Sequence, residues 1–130
     1  MEKSESVANL IQFVVDSVRQ AHAEDAPFYH LRFDRIFPDD FYAQMVEAMP
    51  IAEDYRAMSG KSKMGSSRAD RKPTRAKIDL FPEYIRHLPP GKRAVWDAAG
   101  RVLRSKELQS AFVQRLAPGL KGRFGENFAR

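Results

Sequence analysis

Residues Pro27–Pro50, PFYHLRFDRIFPDDFYAQMVEAMP, change period within one short stretch, and few folds accommodate that. From Tyr29 the side chains alternate. Tyr29, Leu31 and Phe33 fall on one face, and His30, Arg32 and Asp34 on the other. A period of two marks a half-buried strand. Pro38-Asp39-Asp40 follows, and either aspartate suits the start of a helix, where free N–H groups and the positive dipole end favour an acceptor. Phe41, Met45 and Met49 then repeat at helical spacing with Tyr42 and Val46 beside them. Pro50 ends the helix, because the residue before a proline is pushed out of the α region. The stretch predicts a strand and a helix that share one apolar side.

Ahead of it, Ser4–His22 reads as an amphipathic helix with Ser4 or Ser6 as N-cap. Val7, Leu10, Ile11, Val14, Val15 and Val18 form its apolar stripe. Valine is a poor helix former, so packing must hold this helix. The stripe either lies on the chain's own domain or serves an oligomer or membrane contact. The polar face lacks the basic residues of a membrane-surface helix, which favours the first. Ala23–Ala26 reads as a polar link.

The 130 residues suit one domain, 1–130, with a core of its own. Cysteine is absent, which excludes disulfides, thiol catalysis and cysteine-held metals and fits a cytoplasmic location. No apolar run reaches the ~20 residues that cross a bilayer. The N-terminal MEKSESVANL has acidic residues and no apolar block of a signal peptide.

The net charge of +5 is local. Ser59–Lys77 carries Lys61, Lys63, Arg68, Arg71, Lys72, Arg75 and Lys77 against Asp70 alone, and the rest of the chain is near neutral. Its composition predicts a mobile excursion. As an anion site it would act through Arg68, Arg71, Lys72 and Arg75. Nucleic acid is the weaker candidate partner, since no aromatic in the segment stacks bases and no basic recognition helix accompanies it. A substrate-gating loop and a solvated loop remain. Thr74–Leu80 suggests a second short strand.

Phe81–Gly91 reads as turns around one short helical turn, with Pro82 at its first position. A helical pair follows over 92–117. Lys92–Leu103 has Val95, Trp96, Ala99, Val102 and Leu103 on one side. Lys106–Leu116, capped by Ser105, shows Leu108, Phe112, Val113 and Leu116. Pro118-Gly119 reads as a break or kink. Leu120, Phe124 and Phe128 extend the apolar face.

Candidate chemistry is sparse. His22, His30 and His87 show no His-x-Asp or His-x3-His spacing of a metal site. His22 and Glu24 make a His-x-Glu pair at a helix end. Capping explains Asp39-Asp40, and a solvated loop explains Glu53-Asp54. No Gly-rich phosphate loop and no nucleophile elbow is present. The residues themselves nominate no catalytic, cofactor-binding or metal-binding side chain.

The series "Pro-aromatic-x-His, alternating strand, Phe-Pro-acid-x-Phe-Tyr, helix, Pro" resembles the N-terminal part of bacterial Fe(II)/2-oxoglutarate-dependent dioxygenases of the prolyl-4-hydroxylase-like kind. The likeness continues through Tyr55-Arg56, Ser59-Gly60, Asp79-Leu80-Phe81-Pro82-Glu83, Leu88-Pro89, Trp96, Ser105-Lys106-Glu107-Leu108 and Arg123-Phe124-Gly125. Order and spacing agree over about Pro27–Gly125. The resemblance implies oxidative hydroxylation of a small-molecule or protein substrate by the full-length enzyme, with Fe(II) and 2-oxoglutarate as cofactors. It also implies a His-x-Asp pair and a distant His as iron ligands, which these 130 residues lack. None of the family's catalytic residues carries over. The stretch corresponds to the helical support and first strands that flank a double-stranded β-helix. This chain alone is then expected to be inactive and to bind neither cofactor. It would be a truncation, a split half or a remnant, with a C-terminal domain or second chain completing it. The overall expectation is an α+β, predominantly helical fold: an N-terminal amphipathic helix, a strand–helix unit and a C-terminal helical pair.

Overall fold

In a computed structural model, residues 2–57 and 76–124 are described. The order is α1 (Glu2–Gln20), β1 (His22–Glu24), β2 (His30–Arg32), α2 (Asp39–Glu47), a 3-10 turn (Ala52–Asp54), β3 (Arg56–Ala57), β4 (Ala76–Lys77), α3 (Pro82–Ile85), α4 (Pro90–Leu103) and α5 (Lys106–Phe124). The described residues are thus mainly helical, with two antiparallel strand pairs, β1–β2 and β3–β4. The chain divides into two compact units: residues 1–43 with 101–130, and residues 44–100.

In the first unit α1 packs on α5. Leu10, Val14, Val15 and Val18 are buried, as the apolar stripe requires, together with Val102, Leu108 and Ala111. The helix ends before His22, two residues short of the expected boundary, because His22–Glu24 pairs with β2 instead. The polar link expected from Ala23 therefore begins as a strand. Its register is His22↔Arg32, Ala23↔Leu31 and Glu24↔His30. The alternation after Pro27 has the expected sense. Tyr29 and Phe33 turn toward α5, Phe33 meeting Phe112 edge-on at 6.3 Å between ring centroids. His30 and Arg32 take the opposite face.

α5 runs on as one helix past Pro118, so of the expected break or kink the break does not occur. Proline removes one N–H from a helix interior and crowds the preceding turn. Here the turn beyond it is held from outside. The Tyr29 ring lies on Gly119, where a Cβ would stand 2.6 Å from the tyrosine Cγ. The Tyr29 hydroxyl donates to the Arg115 carbonyl at 3.0 Å. Only a residue without a side chain lets the ring approach this closely. At the other end Ser105 caps α5 as expected: its Oγ accepts from Leu108 N–H at 3.3 Å.

α2 departs further from expectation. Its first turn forms as read, with Phe41 N–H on Asp40 Oδ1 at 2.8 Å and Asp39 bound to Arg35 at 3.1 Å. Yet none of its residues is buried. Tyr42 and Val46 are exposed, and so is Met49 beyond its end. Helical spacing alone cannot tell a covered stripe from an open one.

In the second unit Ile85, Leu88, Ala99 and Ala48 are buried. The Trp96 indole donates to the Ala48 carbonyl at 2.8 Å. That bond satisfies one of the acceptors left free where α2 stops before Pro50. Pro82 stands in the first turn of α3, as expected. The strand expected over Thr74–Leu80 is β4 alone among the described residues, paired as Arg56↔Lys77 and Ala57↔Ala76.

Candidate functional site

The hairpin β1–β2 brings four titratable side chains, His22, Glu24, His30 and Arg32, to one face. The two-residue period puts His22 and Glu24 on one face, and the register sets His30 and Arg32 opposite them. Glu24 receives all three: His22 Nε2 at 3.6 Å, His30 Nε2 at 3.4 Å and Arg32 Nη2 at 3.4 Å. The other ring nitrogen of His30, Nδ1, donates to the Phe28 carbonyl at 2.7 Å. The His22-x-Glu24 pair is thus brought together, and with it a second histidine and an arginine that spacing did not connect. Arg32 supplies positive charge to the Glu24 oxygen that also faces His22. Among the described residues no three His, Asp or Glu side chains are placed to hold a metal ion.

Next to this face is a cleft of about 500 Å³, lined from α1 by Phe13, Ser17 and Gln20 and from the hairpin side by His22, Arg32 and Arg35. Nothing in the sequence pattern marked it, because its walls come from three separate segments.

In the second unit a small charged group sits at the β3–β4 pair. Asp79 accepts from Arg56 and lies 3.4 Å from Lys77 Nζ. Arg56 also stacks over the Tyr84 ring at 4.3 Å, and Phe81 meets Tyr84 edge-on. Partial desolvation pushes the Asp79 carboxyl up, but the Arg56 hydrogen bond and the Lys77 charge outweigh it and hold it below the ordinary value of 3.8. His87 contacts the Asp54 carbonyl at 3.0 Å through Nε2, and Asp54 Oδ2 accepts from Ile51 N–H at 2.9 Å. The Glu53-Asp54 pair therefore has a structural partner at Asp54. Arg68, Arg71, Lys72 and Arg75 lie outside the described residues.

One residue carries much of the first unit's order and has no sequence signature. The Arg115 guanidinium reaches the carbonyls of Val18 at 3.1 Å, Ala21 at 2.6 Å and Arg19, at the C-terminal end of α1. A cation at that position complements the dipole and adds a donor at the last carbonyls, Val18 also accepting from the Ala21 N–H. No described helix is long and apolar enough to cross a membrane. Compared with known proteins, the chain matches no protein-family model, no curated protein and no solved structure.

Proposed function

We propose that this chain is the supporting region of a cytoplasmic Fe(II)/2-oxoglutarate dioxygenase-like protein and does not turn over substrate alone. The observation that carries the reading is the 2.8 Å bond from Trp96 to the Ala48 carbonyl. It joins the helix of the first motif block to the tryptophan of the second. Two motifs that resemble one family's pattern thus have a packing reason to occur together. The Tyr29 hydroxyl on the Arg115 carbonyl connects the segment entering β2 to the helix that Ser105 caps.

The described residues do not fit the iron. Glu24 and His30, both half-buried, and the exposed His22 form a cluster shared with Arg32, and no metal-binding group of three stands among the described residues. The triad would come from a complementing C-terminal domain or second chain, which would also receive the small-molecule or protein substrate.

Calorimetry of the purified chain with Fe(II), with and without 2-oxoglutarate, tests the inactive half of the reading, and no binding is expected. Iron- and 2-oxoglutarate-dependent succinate formation by the chain alone would overturn it. Capture from the native source with the tagged chain tests the family half. The expected polypeptide carries His-x-Asp and a distant His, and a captured complement without them would count against the family.

A second reading rests on the β3–β4 pairing, which sets Arg56 against Lys77 and Ala57 against Ala76, on either side of most of the basic segment. In it the segment binds an anionic partner. Binding to a polyanion should then fall steeply with salt and weaken when Arg68, Arg71 and Lys72 become Ala.

A further inference from the structure

The cleft beside the hairpin has the size of a small-molecule site, and it is open on one side with a mainly polar, charged lining. Its volume of about 500 Å³ lies in the range, roughly 300–1,000 Å³, that holds a metabolite. Gln20, His22, Arg32 and Arg35 supply donors, Asp34 is the one carboxylate on the wall, and Phe13 gives an apolar surface.

The two arginines are oriented from behind. Asp39 approaches Arg35 at Nε, 3.1 Å away, and Glu24 approaches Arg32 at Nη2, 3.4 Å away. Neither carboxylate lines the cleft. A guanidinium carries five N–H donors in a rigid fork, so each keeps donors for a second acceptor. Asp34 repels a ligand whose negative charge is spread over its whole surface. It accepts instead from a hydroxyl or ammonium group.

We propose that this cleft binds a small organic anion, with a carboxylate or phosphate on Arg32 and Arg35 and a hydroxyl or ammonium group on Asp34. The dioxygenase reading neither requires nor supplies this site, so the two stand or fall separately.

Nuclear magnetic resonance titration of the full chain tests it. The probes are malate and glycerol 3-phosphate, each with its counterpart lacking the carbon-bound hydroxyls, succinate and propyl phosphate. Saturable shifts are expected at Phe13, Gln20, His22 and Arg32 to Arg35, and the stronger of the two hydroxylated probes tells carboxylate from phosphate. Each hydroxylated probe should bind about three- to tenfold tighter than its counterpart, the discrimination that one solvent-facing hydrogen bond supplies. Arg32→Ala and Arg35→Ala should each weaken binding about tenfold or more, and Asp34→Ala should erase the preference for the hydroxyl. Both arginine side chains are mostly exposed, 64% and 60%, so these variants should keep the wild-type melting temperature. Shifts confined to the basic segment, no saturation with any probe, or unchanged affinity in the Arg32→Ala/Arg35→Ala variant would overturn the proposal.

Discussion

Tyr29 donates its hydroxyl proton to the backbone carbonyl of Arg115, 3.0 Å away and 86 residues later in the chain. The same Arg115 sends its guanidinium to the last carbonyls of α1. One residue of α5 thus ties the first strand pair and the first helix to the C-terminal helix, using its backbone for one and its side chain for the other.

Removing only the hydroxyl tests the backbone half of that tie. Tyr29→Phe keeps the ring on Gly119 and should cost about 1 kcal/mol, the usual net worth of one hydrogen bond. Gly119→Ala should cost more, about 1–3 kcal/mol, because the new methyl meets the root of the tyrosine side chain at 2.6 Å and neither backbone can yield freely. Urea denaturation of both variants reads the difference. A Gly119→Ala protein as stable as wild type would show that the ring does not press on α5.

The side-chain half rests on Arg115. Its fork serves three carbonyls at once, so Arg115→Lys should recover little of what Arg115→Ala loses. The alanine variant takes this donor from the part-buried Ala21 carbonyl, while the Val18 carbonyl keeps the Ala21 N–H, and should lose about 1–2 kcal/mol. Amide hydrogen exchange should report it first in the last turn of α1, since the loss is local to that terminus. Uniform acceleration over α5 instead would assign Arg115 a different role.

Local pattern revealed the parts of this fold whose cause is local. The valine stripe of α1, the alternation at Tyr29 to Asp34 and the Ser105 cap are each set by a few consecutive residues. Strand β1 was not legible, because His22 to Glu24 becomes a strand only through its partner His30 to Arg32. The helix through Pro118 was not legible either, since the contact that holds it comes from Tyr29. The same holds for the site. His22-x-Glu24 could be read as a pair, but His30 and Arg32 join it only by register, and the cleft draws its walls from α1, β1 and the chain after β2.

Trp96 is the chain's single tryptophan, and its role in the second unit can be separated into ring and N–H. Trp96→Phe keeps an aromatic ring but leaves the Ala48 carbonyl without its donor. A loss of about 1–2 kcal/mol is expected, the hydrogen bond together with the smaller ring. Circular dichroism melting measures it. Trp96→Ala should cost clearly more, and equal losses for the two variants would mean that the ring contributes nothing beyond the bond.

Asp79 gives the second unit an acid-sensitive contact. Arg56 and Lys77 favour its charged form, so its folded pKa lies below the ordinary 3.8 while the unfolded chain keeps the ordinary value. The unfolded state then binds the proton more readily. Stability from this group is present above that value and disappears as the pH falls through the lower, folded one. Wild type should therefore melt above Asp79→Asn near neutral pH, and the gap should close below about pH 4. The carboxylate is partly open to water, so added salt should narrow the gap at neutral pH as well. Removing Arg56 by Arg56→Gln should flatten the acid response of the wild-type Asp79, because Arg56 donates its hydrogen bond and the nearer charge. A gap between wild type and Asp79→Asn that stays constant from about pH 7 to about pH 2 would place the stabilising effect of Asp79 in packing rather than charge.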